Sequence, residues 1–108
     1  MLKELTDANF QQEVTEEAGV ILVDFYAQWC VPCKAMTKAV EELDNEGNGN
    51  AKICKADIEE NSSAVKDLNI SSVPFVVLYK DGKIVNKHVG LRSKQDMQKD
   101  IEEACNEG

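Results

Sequence analysis

The run Val20-Ile21-Leu22-Val23-Asp24-Phe25-Tyr26 is nearly continuous in apolar residues and rich in β-branched ones. It is strand-sized, and a strand that is apolar on both faces has to be covered on both. That one run implies a parallel sheet with helices packed against it.

The neighbouring segments supply the rest of the frame. Thr6-Asp7 is expected to cap a first helix running to about Glu17, with Phe10 and Val14 at helical spacing and Gly19 as its stop. From Cys33 onward Met36, Val40 and Leu43 recur at helical intervals until Gly47-Asn48-Gly49 breaks the pattern. Ala51 to Asp57 reads as a weaker strand interrupted by Lys52 and Lys55, and Ser62 to Asn69 as a short helix bearing Val65 and Leu68. Phe75 to Tyr79 and Ile84 to Val89 flank Asp81-Gly82, a hairpin signal that makes these strands antiparallel. Ser93 with Asp96 opens a last helix carrying Met97, Ile101, Ala104 and Cys105 on one face, and Leu2 to Leu5 reads as an added edge strand. A crossover unit followed by an antiparallel pair predicts helices on both sides of a mixed sheet of about four or five strands.

At 108 residues and 12.0 kDa the chain is expected to form one domain, 1–108. Its formal charge of −8 argues against nucleic acid, since phosphate binding needs clustered Lys and Arg. The longest apolar runs, Val20 to Tyr26 and Val73 to Tyr79, are far below the roughly 18 residues of a membrane span. Met1 to Asp7 shows neither a basic leader nor an apolar stretch before a cleavage site, so a cytoplasmic, thiol-reducing compartment is expected. The 4 cysteines, at 30, 33, 54 and 105, are too few and too uneven for a secreted disulfide scaffold.

The close pair lies in Trp29-Cys30-Val31-Pro32-Cys33-Lys34, where the buried strand ends and a helix begins. Free backbone N–H groups and the positive end of the helix dipole stabilise an anion there, so Cys30 is expected to ionise readily. The dipole is worth about 0.3 to 1 kcal/mol, up to about 2, which lowers a thiol pKa by about one. A larger effect requires hydrogen bonds from the Cys33 amide and thiol to the Cys30 sulfur. Pro32 suits the first helical turn and stiffens the spacer. Position alone then makes Cys30 the exposed nucleophile that attacks a partner disulfide, and Cys33, on the inward stripe, the group that resolves the mixed disulfide.

Metal binding and a purely structural pair are the competing readings. Zinc usually wants four ligands, but Cys54 and Cys105 are isolated and His88 falls within a strand, so no metal is expected. Haem attachment would need a histidine where Lys34 stands. A noncatalytic interaction module with incidental cysteines is the rival from another functional class. Asp24 interrupts the apolar strand on the face of Val20 and Leu22, and burial without a partner would raise its pKa toward that of a general base. It is then placed to accept the Cys33 proton through water; the alternative is a strand-end carboxylate facing solvent.

With Val23-Asp24-Phe25-Tyr26-Ala27 leading into Trp29-Cys30-Val31-Pro32-Cys33-Lys34, followed by Val73-Pro74, Asp81-Gly82-Lys83 and Val89-Gly90, the chain resembles the thioredoxin family over essentially its full length. The resemblance implies the thioredoxin fold, three layers α/β/α with a central mixed sheet flanked by helices. It also implies a dithiol that reduces protein disulfides as a thiol–disulfide oxidoreductase, with no bound cofactor. A flavin-containing thioredoxin reductase would restore the dithiol with electrons from NADPH. Asp24 matches the family's buried carboxylate, Lys55 the lysine near it, and Pro74 the cis-proline opposite the active-site disulfide. The resemblance further implies that the Val73 backbone pairs with an extended substrate strand, that Gly90 leaves space for it, and that Trp29 is the flat contact residue beside the nucleophile. The expected partners are that reductase and disulfide-bearing proteins, with no nucleic acid and no membrane, and the working state is a monomer.

Two residues depart from the family pattern. Val31 replaces the usual glycine between cysteine and proline, stiffening the backbone and covering part of the docking surface. Phe75 stands where threonine commonly follows the proline, and is expected to enlarge the apolar patch near the site. No histidine lies in the spacer, which favours a reductant over an oxidant or isomerase. Cys54 and Cys105 are expected to be buried packing residues.

Overall fold

The computed structural model describes residues 2–46 and 51–106. Strands β1 (Lys3–Leu5), β2 (Val20–Tyr26), β3 (Ala51–Asp57), β4 (Phe75–Lys80) and β5 (Lys83–Val89) form one sheet in the order β1-β3-β2-β4-β5. Strands β1, β3 and β2 run parallel, while β2 with β4 and β4 with β5 are antiparallel. The helices are α1 (Val31–Asn45), α2 (Ser62–Leu68) and α3 (Lys94–Asn106). The mixed five-stranded sheet is the one implied by the resemblance.

Alternation along β2 distributes its apolar run between two cores. Ile21, Val23 and Phe25 pack with Leu5, Val14, Cys54, Ala56, Ala64, Phe75 and Val77 on one face. Val20 and Leu22 pack with Met36, Val40 and Leu43 of α1 and Met97, Ile101 and Ala104 of α3 on the other. Both faces of β2 are thus sealed, which is why its sequence lacks polar alternation. The lysines that weaken the β3 signal are paired: Lys52 Nζ reaches Glu13 Oε1 at 2.6 Å and Lys55 Nζ reaches Glu4 Oε1 at 3.6 Å.

The hairpin turn follows from Asp81 and Gly82, both at positive φ (51° and 82°), as a two-residue turn of this kind requires. A Cβ on Gly82 would also run into the Thr15 carbonyl oxygen. Ser93 Oγ accepts the Asp96 N–H at 3.0 Å and opens α3 as expected. The first helix is a correction. In place of a helix from Thr6 to Glu17 there is a turn and one π-helical segment, Gln11–Thr15. Asp7 does not cap it, because its carboxylate accepts from Ser62 Oγ at 2.9 Å and Ser63 N–H at 3.1 Å. The backbone bonds widen from Phe10 N to Thr6 O into Glu16 N to Gln11 O. The break expected at Gly47-Asn48-Gly49 lies outside the described residues.

Candidate active site

Strand β2 ends at Tyr26 and the chain turns through Ala27, Gln28 and Trp29 into α1. Cys30 is the N-cap of α1, with extended backbone (φ −90°, ψ 111°), and its sulfur accepts the Cys33 N–H at 3.2 Å. Pro32 lies in the first turn, where its missing N–H leaves no intrahelical bond unmade. Cys30 and Cys33 are joined as a disulfide with Cα atoms 5.3 Å apart. The Cys30 sulfur is therefore turned toward the Cys33 N–H in the first turn of the helix.

Across from α1, the Val73–Pro74 peptide bond is cis, as the resemblance implied, and Cys30 Sγ lies 3.8 Å from the Val73 carbonyl oxygen. Gly90 N–H donates to the Pro74 carbonyl at 2.8 Å, which brings Gly90 beside the proline. Its φ of 92° suits glycine, and a Cβ there would meet nothing within 4 Å, so this margin is open.

Exposure departs from the expectation for Cys30. The residue is only 4% accessible and Cys33 2%, because Ala27, Tyr26, Ile58 and Val73 pack around the pair. The exposed surface belongs to the neighbours, Trp29 at 69% and Val31 at 73%. Phe75 also departs from expectation: it is buried, 6.4 Å edge-to-face from the Phe25 ring, in the core on the α2 face of the sheet. As the first residue of β4 it turns into that core and adds nothing to the exposed apolar surface.

Asp24 is fully buried on the α1 face of β2. Its Oδ2 accepts the Thr37 hydroxyl at 3.1 Å, and its Oδ1 has no hydrogen-bond partner among the described residues. Burial pushes the carboxyl up to about 7, opposed first by the Thr37 bond and then by the Lys55 charge. Lys55 is the register partner of Asp24, but its ammonium is drawn to Glu4 and lies 5.8 Å over the Tyr26 ring. Tyr26 donates its hydroxyl to Glu4 Oε2 at 2.9 Å. Sequence reasoning missed Thr37, Glu4 and Tyr26. Thr37 left a faint trace as a hydroxyl four residues past Cys33, beside the apolar stripe; Glu4 had none without the β1–β3 register.

The remaining cysteines lie elsewhere. Cys54 is fully buried among the α2-face residues, and burial pushes its thiol up to about 11. Cys105 is partly buried against the α1 and α3 core. Among the described residues no three or more His, Cys, Asp or Glu side chains group to hold a metal ion, and no helix is long and apolar enough to cross a membrane.

A scan against family models matches residues 1–103 to the thioredoxin model. The chain is 38% identical to a thioredoxin of Listeria monocytogenes over 101 residues, covering 94% of this chain and 96% of that one. It is 40% identical to a thioredoxin of Staphylococcus saprophyticus over 98 residues, 91% of this chain and 92% of the relative. A thioredoxin of Rickettsia felis is 36% identical over 97 residues, 90% of this chain and 92% of the relative. With the sheet order, the disulfide at the N-terminus of α1 and the full-length match all in agreement, the chain belongs to the thioredoxin family of thiol–disulfide oxidoreductases.

Proposed function

We propose that this chain acts as a single domain that reduces protein disulfides, with Cys30 as nucleophile and Cys33 as resolving thiol. The observation that carries this reading is the Cys33 N–H bond to Cys30 Sγ at the head of a 15-residue helix. That geometry favours negative charge on Cys30 rather than on Cys33, which lies a turn inside the helix.

In the reduced protein the Cys30 thiolate attacks one sulfur of a substrate disulfide, forming a mixed disulfide and releasing one substrate thiolate. Cys33 then passes its proton to Asp24 and attacks Cys30 Sγ, closing the Cys30–Cys33 disulfide and releasing the second substrate thiolate. Two electrons move from the dithiol to the substrate. Trp29, Val31 and Pro32 form one wall of the docking surface, and Val73, Pro74 and Gly90 the other. With both cysteines almost entirely buried, a substrate would lie across this surface, with Val73 pairing to its backbone. Lys55 acts on Asp24 through its charge. A thioredoxin reductase using NADPH through a flavin would regenerate the dithiol, and the expected setting is a monomer in the cytoplasm.

Trapping tests the assignment of roles. Cys33→Ser is expected to accumulate a stable mixed disulfide with substrate proteins through Cys30. Prompt release of substrate from that variant would contradict it.

A further inference from the structure

We propose that Thr37 is a positioning residue for Asp24: its hydroxyl holds the buried carboxyl against α1 and favours the ionised form that receives the Cys33 proton. The inference rests on the reading of Asp24 as that proton acceptor.

Thr37 lies four residues after Cys33 on α1, hence on the same face one turn below it. Helical side chains lean toward the N-terminus, so its hydroxyl occupies the turn between its own Cα and Cys33. A helical threonine commonly bonds back to the carbonyl four residues earlier; here the hydroxyl is given to Asp24 Oδ2 at 3.1 Å instead. One residue thus links the helix that carries the dithiol to the strand that carries the carboxyl.

The effect on protonation follows from donors and acceptors. An ionised carboxylate only accepts, so the Thr37 hydroxyl meets it with a charge-assisted bond. The neutral acid must place its own proton, and Oδ1 has no partner among the described residues to take it. Donation to Oδ2 therefore favours the anion.

The other groups around Asp24 act differently. Lys55 on β3 and Glu4 on β1 reach it through charge, and Tyr26, two residues on, gives its hydroxyl to Glu4. Asp57 lies beside Tyr26 in the β2–β3 register, and β4 places apolar Val76 opposite Asp24. His88 on β5 lies beyond Val76, about 10 Å away across two strand spacings. Helix α3 presents Met97, Ile101 and Ala104, none of which titrates. From α1 come Cys30 and Cys33, while Glu41 and Asp44 line the same hollow as Lys55. Of these neighbours, Thr37 is the one bonded to the carboxyl.

The test is a carboxyl-carbon NMR titration of Asp24 in the reduced full chain, with Thr37→Val and Thr37→Ser, alongside the pH profile of disulfide reduction. In Thr37→Val the Asp24 midpoint is expected to move up by about one pH unit, a tenfold smaller dissociation constant and a roughly fivefold smaller ionised fraction at pH 7, and in Thr37→Ser to return to the native value. A midpoint that stays or falls in Thr37→Val, or a Thr37→Ser that behaves like Thr37→Val, overturns the inference. If the Asp24 midpoint moves as expected while the reduction profile does not, the hold of Thr37 on the carboxyl stands and the proton-acceptor reading of Asp24 falls. If the midpoint stays fixed while Asp24→Asn slows turnover, the Thr37 inference alone fails.

Discussion

Asp24 and Lys55 are paired in register on adjacent parallel strands, yet the Lys55 ammonium is held at Glu4 Oε1, 3.6 Å away. A lysine so tethered offsets only part of what burial does to the carboxyl. Desolvation dominates, and Asp24 is left near 7, where one proton can be taken up or given back at little free-energy cost.

The raised carboxyl carries a stability signature. A group lifted from 3.8 to about 7 on folding binds its proton more tightly in the folded chain, so the contribution of Asp24 to stability is full below about pH 4 and is lost as pH rises through about 7. Asp24→Asn removes that dependence. It is expected to stabilise the fold at pH 8 by on the order of 4 kcal/mol and to leave it nearly unchanged at pH 4. Turnover near neutral pH should fall in the same variant. Denaturant unfolding at the two pH values, with the reduction rate, checks both outcomes.

Glu4→Gln should act in the opposite sense to Thr37→Val. Glu4 raises the Asp24 carboxyl and restrains Lys55, so removing its charge lowers Asp24 twice over. Glu4 is 46% exposed in its side chain, and screening limits the movement to about half a pH unit. A pH profile of disulfide reduction displaced to lower pH is the expected result.

Val31→Gly tests whether the exposed β-branched side chain restricts docking. The substitution should lower KM for bulky protein disulfides several-fold with kcat little changed. It should also cost about 0.5 to 1 kcal/mol, because glycine loses more backbone freedom in the first helical turn. Steady-state kinetics with a large and a small disulfide substrate, together with thermal unfolding, separate the two effects.

Phe75→Thr should behave as a core mutation. Phe75 packs edge-to-face on Phe25, so its removal is expected to destabilise the fold by about 3 to 5 kcal/mol while KM for protein substrates stays near native. Unfolding and kinetics on the same preparation distinguish this from a docking role.

What could be read from the residues depended on how local the cause was. The seven residues of β2 announced a doubly covered strand because each side chain answers to its own face, and Asp81-Gly82 announced the hairpin because the turn demands positive φ. The placing of Cys30 at the helix start was equally local, since Pro32 and the apolar stripe from Cys33 mark that boundary. Effects set by distant partners were not legible. Asp7 has the chemistry of a cap but is engaged by Ser62 and Ser63, which lie far along the chain, and the expected first helix shrank to one segment. Phe75 resembled a surface substitution until alternation along β4 sent it into the core. The environment of Asp24 was half visible: its burial followed from β2, but the turn of Lys55 toward Glu4 required the order β1-β3-β2.

The redox role itself is tested most directly by following insulin reduction, seen as turbidity, in dithiothreitol with and without catalytic amounts of this protein. The protein should shorten the lag and steepen the rise, and Cys30→Ser should abolish the effect. Turbidity that develops no faster than with dithiothreitol alone would rule out disulfide reduction by the Cys30–Cys33 pair.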